Sequence, residues 1–550
     1  MPTTTGRSAF LALLKDEGIT HLFGNPGTTE LPIMHALGEH PDLTYVLGMQ
    51  ESVVVYMADG FARASGKLVS CNVHVAPGLG NAMGAIYNAK FSGTPMIVTA
   101  GQQELGHGLT EPLLYDPLVP IAEPFTKWAV EVNRIEDLPR ILRRAAKIAT
   151  TPPTGPVFIS LPGDILNDEA DLNLMSSTRV ETATRPSDEL LDRLARRLLQ
   201  AKSPVIVAGD EVATSNAFAE ASRFAEVLGA PVYQQTVTSA AHYPSEHVCF
   251  IGAPGRDQKK VREILSEHDL LILLGSDQLR MSVLSTVEAL PDGMPIVELG
   301  QRDWEMGKNY SSDLAVRADV RETLAVLNPA LEQLGGDDLA KRAKRSLAEI
   351  ETRNWTATRA KARTAMATRA ANKPIDVDWL MMTAVDRLPE NAVVVDEGIT
   401  STRSLLTHLP IRDPKGFFGL PSGGIGWGLP ASVGMQLAQP DRRMLSIIGD
   451  GSAMYSIQGL WTAAHHKLPI TFLIPNNGGY KILRQRLTAF HGSNKFIGMD
   501  FGKPGVDYTK LAESLGVQAT RVTEPGDVAP ALDASFGRDG PSLIEVMVEN

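Results

Sequence analysis

Short apolar runs rich in Val, Ile and Leu recur along this chain of 550 residues, and longer stretches with helically spaced apolar positions separate them. That alternation constrains the fold more than any other feature of the sequence. A strand that leads into a helix and returns beside itself builds a parallel sheet covered on both faces. The fold class is therefore α/β, with doubly wound parallel-sheet domains. In the first third, the strand candidates are 44–47, 68–73, 95–99 and 156–160, with helix-like stretches at 51–65 and 81–91. A second block has strands near 204–208, 231–233, 270–274 and 295–299, and a third near 392–395, 444–448, 470–474 and 543–548. The polar stretch 167–187 reads as a linker. Residues 335–372 are Ala- and charge-rich with few large apolar side chains, and read as an exposed helix and linker with a solvated charged face. Three domains follow, at 1–170, 188–335 and 375–550, with a charged helical linker at 336–374. The outer two could share a fold without visible sequence identity.

Charge removes several classes of function. Lys and Arg number 52 against 63 Asp and Glu, a net charge of −11, which disfavours nucleic acid and anionic membrane surfaces as partners. No apolar run reaches the ~18 residues of a membrane span. The N-terminal MPTTTGRSAFLALLKDEG lacks the basic start, apolar stretch and cleavage site of a signal peptide, so a cytoplasmic location is expected. The two cysteines, Cys71 and Cys249, stand in apolar segments and are expected to be reduced and buried.

The sharpest chemical signal lies in the third block. The run 444–448 leads into Gly449-Asp450-Gly451, and after 24 intervening residues the run 470–474 has led to Asn476-Asn477. In a parallel sheet both segments emerge at the carboxyl edge, where α/β proteins place ligands. Asp450 offers a carboxylate and Asn477 an amide oxygen, hard donors that suit Mg2+ or Ca2+ rather than zinc. The glycines, Gly451 among them, let backbone approach a phosphate, and Ser452 adds a hydroxyl where a helix would begin. A diphosphate held through a divalent metal fits this set.

With GDG and NN at strand ends at this spacing, the sequence resembles the thiamin-diphosphate-dependent enzymes, and the resemblance covers essentially the whole chain. It is carried also by FGNPGTTELP (23–32), MQESVVVYMADGFARASGK (49–67), NVHVAPGLGNAMGA (72–85), VTAGQQ (98–103), GGIGWGLPA (423–431) and GDGSAMYSIQGLWTAA (449–464). Within the family it most resembles the benzoylformate decarboxylases, with acetolactate synthases and benzaldehyde lyases more distant. The resemblance implies that the first domain binds the cofactor's pyrimidine and the third its diphosphate. The two would meet across a subunit interface, in a dimer or a dimer of dimers. Glu51 would hydrogen-bond N1′ of the aminopyrimidine and set the tautomer that activates the cofactor. The Gly423 carbonyl would accept from the 4′-amino group, and Ile425 would wedge the two rings into a bent form. Ile399 and Thr400 match positions that hold the diphosphate. The Gly479 carbonyl would complete the metal shell, with Tyr480 beside the cofactor.

The same resemblance bears on the substrate. Thr28 stands where the decarboxylases have a serine that contacts the substrate carboxylate. His74, in the matching N-x-H segment, would move protons at the reacting oxygen. Ser282 stands where they carry a second histidine, and serine is too weak an acid to replace imidazole near neutral pH. Water, His74 or another group such as His107 must then protonate the carbon left behind by CO2, or that carbon attacks an aldehyde instead. His107 is a candidate, although a solvent-exposed loop histidine is the plainer reading. Ile482 and Leu483 supply apolar walls to the pocket. Arg486 replaces a phenylalanine and could favour an anionic substrate. The middle block lacks a glycine cluster for a pyrophosphate, so no FAD is expected.

The expected activity is non-oxidative, Mg2+-dependent decarboxylation of an aromatic or branched 2-oxo acid to an aldehyde. A carboligase or hydroxyketone lyase with the same cofactor is the close alternative. A non-catalytic binding module is the remote one, opposed by intact Glu51, Asp450 and Asn477.

Overall fold

The computed structural model describes residues 3–283 and 285–549; Met1, Pro2, Leu284 and Asn550 lie outside it. Three six-stranded sheets organise the chain, and every strand pair within them is parallel. The first sheet runs Thr44–Leu47, His21–Gly24, Val69–Val73, Met96–Gln102, Pro156–Pro162, Ala129–Glu131. The third runs Phe417–Gly419, Val393–Glu397, Met444–Ile448, Ile470–Asn476, Ser542–Met547, Gln518–Val522. Numbered by appearance within each sheet, both have the order 2-1-3-4-6-5, so the outer domains share one topology. The middle sheet runs Phe250–Gly252, Val232–Gln234, Pro204–Ala208, Leu270–Leu274, Ile296–Gly300, Leu314–Arg317, which is the order 3-2-1-4-5-6 of dinucleotide-binding folds. The central strands are buried along their whole length because helices cover both faces.

The helix Glu51–Ser65 joins the first domain to the third. The Gln50 side chain caps it by accepting from the amides of Ser52 (2.6 Å) and Val53 (3.2 Å), and Gly66 ends it in the left-handed region at φ 74°. Its run of apolar residues packs on the helix Gly428–Ala438 of the third domain. A Cβ on Gly60 would lie 2.1 Å from the Ala431 carbonyl oxygen, and one on Gly434 would lie 1.8 Å from that of Met57, so the helices touch backbone to backbone. The Trp427 indole N–H donates to Asp59 at 2.6 Å, with the Arg63 guanidinium over the Trp427 ring. One apolar core therefore runs through both outer domains.

The linker differs from its expected solvated form. Helix Val320–Glu351, broken at Gly336, begins as part of the middle domain, with Leu324, Leu327 and Leu331 in that core. Beyond the break, Leu339, Ala343 and Ile350 are buried, as is Trp355 on the next helix, Trp355–Ala367. The Trp355 indole donates to the Leu406 carbonyl at 2.8 Å. Few apolar residues sufficed because those present share one face. Cys71 and Cys249 are buried and unpaired. Among the described residues, no helix is long and apolar enough to cross a membrane.

Candidate active site

Glu397, Asp450 and Asn477 stand at the carboxyl ends of three neighbouring strands of the third sheet. Connections leave in opposite directions there, which opens a crevice between strand ends. Here lies a cleft of about 330 Å³. It brings together Asp450, Gly451, Ser452, Asn477, Gly479 and Tyr480 with Ile399, Thr400, Gly423 and Ile425. The Asp450 carboxylate accepts from the amides of Gly451 (2.9 Å) and Gly479 (3.1 Å), and burial pushes its pKa above the ordinary value. The Asn477 amide oxygen is buried with no hydrogen-bond partner among the described residues. Such an orphan is costly unless a ligand completes it. The Gly479 carbonyl accepts from the Lys481 amide at 3.0 Å and keeps a second lone pair. No group of three His, Cys, Asp or Glu able to hold a metal occurs among the described residues. The donors are carboxylate, amide and carbonyl oxygens, a set that fits Mg2+ or Ca2+.

Two strained or constrained segments border this cleft. Ile399 is β-branched yet sits at φ 49°, a conformation such residues rarely adopt outside functional sites. The glycine turn 423–428 is held by Glu397, whose carboxylate accepts from the amides of Gly426 (2.5 Å) and Gly428. Burial pushes the Glu397 carboxyl up to about 7.

The first domain repeats the arrangement. At its own switch point, between His21–Gly24 and Val69–Val73, the loops carry Gly27, Glu30 and His74. The buried Glu30 carboxylate accepts from His74 Nδ1 at 2.7 Å and from the amides of Gly27 (2.9 Å) and Gly101 (2.8 Å). Nδ1 thus carries a proton, and Nε2 is the nitrogen free to exchange one. Gly27 is required by contact, because a Cβ there would lie 2.2 Å from the His74 ring. The next residue, Val75, is again β-branched at positive φ, 41°. Glu51 opens its helix only 8% exposed. Its carboxylate receives Asn81 Nδ2 at 3.0 Å and Asn25 Nδ2 at 3.4 Å, both neutral donors. Thr28 is exposed beside this group, and the neighbouring Thr29 is the one that meets His74 Nδ1, at 3.2 Å. His107 is exposed on the short helix His107–Thr110.

A second cleft, of about 540 Å³, is lined by Ser282, Ile482 and Arg486 together with Arg256 and Phe490. It shares Ile399 and Ile482 with the first cleft, so the two are continuous. Leu483, expected with Ile482 in the substrate wall, lines the first cleft instead. Neither cleft takes a lining residue from the first domain, so within one chain Glu51 and His74 stand apart from Asp450.

Three residues escaped the sequence reading. Glu397 had a legible signal, an acid ending the run VVVDE before Gly398. Glu30 and Arg256 had none, since their partners lie far away in sequence.

Paired switch-point sites, an oxygen-only donor set and three parallel-sheet domains place the chain among α/β enzymes that bind a phosphorylated cofactor. Family models match all three domains: the N-terminal TPP binding domain of thiamine pyrophosphate enzymes over residues 4–112, the central domain over 191–327 and the C-terminal TPP binding domain over 398–546. The chain belongs to the thiamine pyrophosphate (thiamin diphosphate) enzymes. It is 34% identical over 545 residues to a benzoylformate decarboxylase of Pseudomonas aeruginosa, covering 98% of each chain. It is 28% identical to the acetolactate synthase isozyme 1 large subunit of Escherichia coli, over 99% of this chain and 94% of that one. Among solved structures it resembles a thiamin-diphosphate-dependent 4-hydroxybenzoylformate decarboxylase of Rhodococcus jostii, with TM-score 0.88, 30% identity and 99% of each chain covered.

Proposed function

We propose that this chain is a Mg2+-dependent decarboxylase of 2-oxo acids with aromatic or branched side chains, and that it releases the aldehyde. In the overall change the bond between carbonyl and carboxylate breaks, CO2 leaves, and one proton is added to the former carbonyl carbon. Thiamin diphosphate, when bound, supplies the nucleophilic carbon and the electron sink. Asp450, Asn477 and the Gly479 carbonyl would hold the metal that neutralises the diphosphate, with Ile399, Thr400, Gly451 and Ser452 around it and Tyr480 beside it. Gly423 and Ile425 would orient the rings. Glu51 would hold a proton at the pyrimidine. Thr28 would contact the departing carboxylate. The observation that carries the reading is the orphaned Asn477 oxygen beside Asp450 in a cleft continuous with a substrate-sized one. The names of the two decarboxylase relatives support the reaction type.

His74, with Nδ1 tied to Glu30, is the group we assign to proton transfer. Glu51 and His74 line neither cleft of their own chain, which supports a second copy supplying them. Exposed apolar side chains on the third domain, among them Ile399, Leu483, Phe490 and Ile497, are suited to being covered by that copy. For the middle domain we propose no flavin. Its switch point is filled by the His242–Asp210 pair (2.7 Å) and Arg302, and a Cβ on Gly209 would lie 2.4 Å from the Gly275 carbonyl oxygen.

A carboligase reading is kept alive by Ser282, which lines the substrate cleft and brings no imidazole to it. Product analysis by NMR decides between the two. With thiamin diphosphate, Mg2+ and benzoylformate or a branched 2-oxo acid, free aldehyde is expected as the main product. Hydroxyketone as the main product, with or without added benzaldehyde, would make the chain a carboligase.

A further inference from the structure

The substrate cleft holds two guanidinium groups that the fold leaves without a close counter-charge. Arg256, from the middle domain, and Arg486, from the helix Lys481–His491, line it together. Among the described residues, neither has a carboxylate within ion-pair distance. By contrast Arg484, two residues before Arg486, is paired with Asp500 at 2.9 Å. Arg256 is oriented by donating from Nε to the Thr236 carbonyl at 3.0 Å, and Arg486 lies over the Phe490 ring, 5.7 Å from its centroid.

The acid that acts on Arg256 from a distance is Asp396. Its carboxylate already accepts from the Gly398 amide at 2.9 Å and makes no ion pair with Arg256. Partial desolvation by the cleft walls lowers the pKa of Arg256, which remains exposed, and the like charge of Arg486 lowers it further against the opposing pull of Asp396. Two guanidinium groups placed this way await an anion. Both are open to solvent in the single chain, so an entering anion can reach them.

The position of the pair identifies that anion. The carboxylate of a 2-oxo acid that leaves as CO2 must lie over the cofactor, on the side of the shared residues Ile399 and Ile482. Arg256, Arg486 and Phe490 line only the cleft beyond them. We infer that the preferred substrate is a 2-oxo diacid, whose second carboxylate is bound between Arg256 and Arg486 while its spacer packs on Ile482 and Phe490. This rests on the decarboxylase reading above and narrows its substrate class.

The test pairs each diacid with a neutral isostere on the holoenzyme: para-carboxybenzoylformate against its para-carboxamide, and meta-carboxybenzoylformate against its meta-carboxamide. CO2 release should favour the diacids in kcat/KM by roughly tenfold to a hundredfold, chiefly through KM, given the usual strength of charge-assisted hydrogen bonds. The preference should shrink as salt rises and fall to near parity in the Arg256→Gln/Arg486→Gln double variant. Amides used as well as the acids, or a preference that survives in the double variant, would overturn the inference and leave the decarboxylase reading standing. If no 2-oxo acid released CO2, the decarboxylase reading would fall. Calorimetry on the holo-protein would then decide the charge assignment: tighter binding of diacid than amide, lost in the double variant, upholds it, and equal binding overturns it.

Discussion

At the scale of single residues, the site depends on carboxylates held in different company. Glu51 receives only neutral amides, whereas Glu30 is fixed by two backbone N–H groups and His74. Glu51→Gln keeps the shape but cannot hold a proton at the pyrimidine. We expect thiamin diphosphate still to bind, with turnover down by on the order of a hundredfold or more; near-wild-type turnover would remove Glu51 from its role. Glu30 acts through His74 and is a positioning residue. Glu30→Gln should lower kcat about tenfold with KM little changed, and the imidazole Nδ1–H resonance of His74 should be lost from the NMR spectrum. A changed KM with the resonance intact would make Glu30 merely structural. Asp450 and Asn477 were legible in the sequence because strand runs lead straight into them. Glu30 was not, because nothing local shows that a carboxylate 44 positions before His74 will meet its ring.

At the scale of elements, burial sets what was readable. The wholly apolar central strands, such as Leu270–Leu274 and Pro204–Ala208, stand out as unbroken runs. The edge strands Ala129–Glu131, Phe250–Gly252, Leu314–Arg317, Phe417–Gly419 and Gln518–Val522 went unread. Four of them are only three or four residues long, and Gln518–Val522 is largely exposed, so no continuous apolar run marks them. The end of the strand Val393–Glu397 has a measurable consequence. Its last residue, Glu397, binds the turn at Gly426 and Gly428, and its carboxyl rises from an ordinary 4.5 to about 7. The folded state then holds the proton more tightly than the unfolded one. The stability linked to this group is complete below about pH 4.5 and is lost as pH rises through 7. The loss amounts to about 3 kcal/mol at most. Thermal unfolding followed from pH 5 to 8 should show a downward slope that flattens in Glu397→Gln. An unchanged slope in that variant would assign the pH dependence elsewhere.

At the scale of the whole molecule, the two outer domains are topological copies that each place polar side chains at the same switch point, yet within one chain the two sets line no common cleft. The helices Glu51–Ser65 and Gly428–Ala438, locked backbone to backbone at Gly60 and Gly434, fix the domains relative to each other. Neither cleft of the third domain is lined from the first. That the outer domains could share a fold was anticipated, but their strand order was not legible, because pairing order is a property of the folded sheet that no local run of residues displays. In the proposed closed dimer, the twofold axis would carry each first domain to the other chain's third domain. That arrangement predicts complementation. Glu51→Gln and Asp450→Ala should each be nearly inactive alone. In a mixed dimer, one of the two sites would draw Glu51 from the Asp450→Ala chain and Asp450 from the Glu51→Gln chain, and would be intact. Random assembly of equal amounts makes half the dimers mixed, so co-expression should restore about a quarter of wild-type turnover. Turnover that stays at the level of the separate variants would mean that each chain completes its own site by a domain movement, and the clefts would have to close within a single copy.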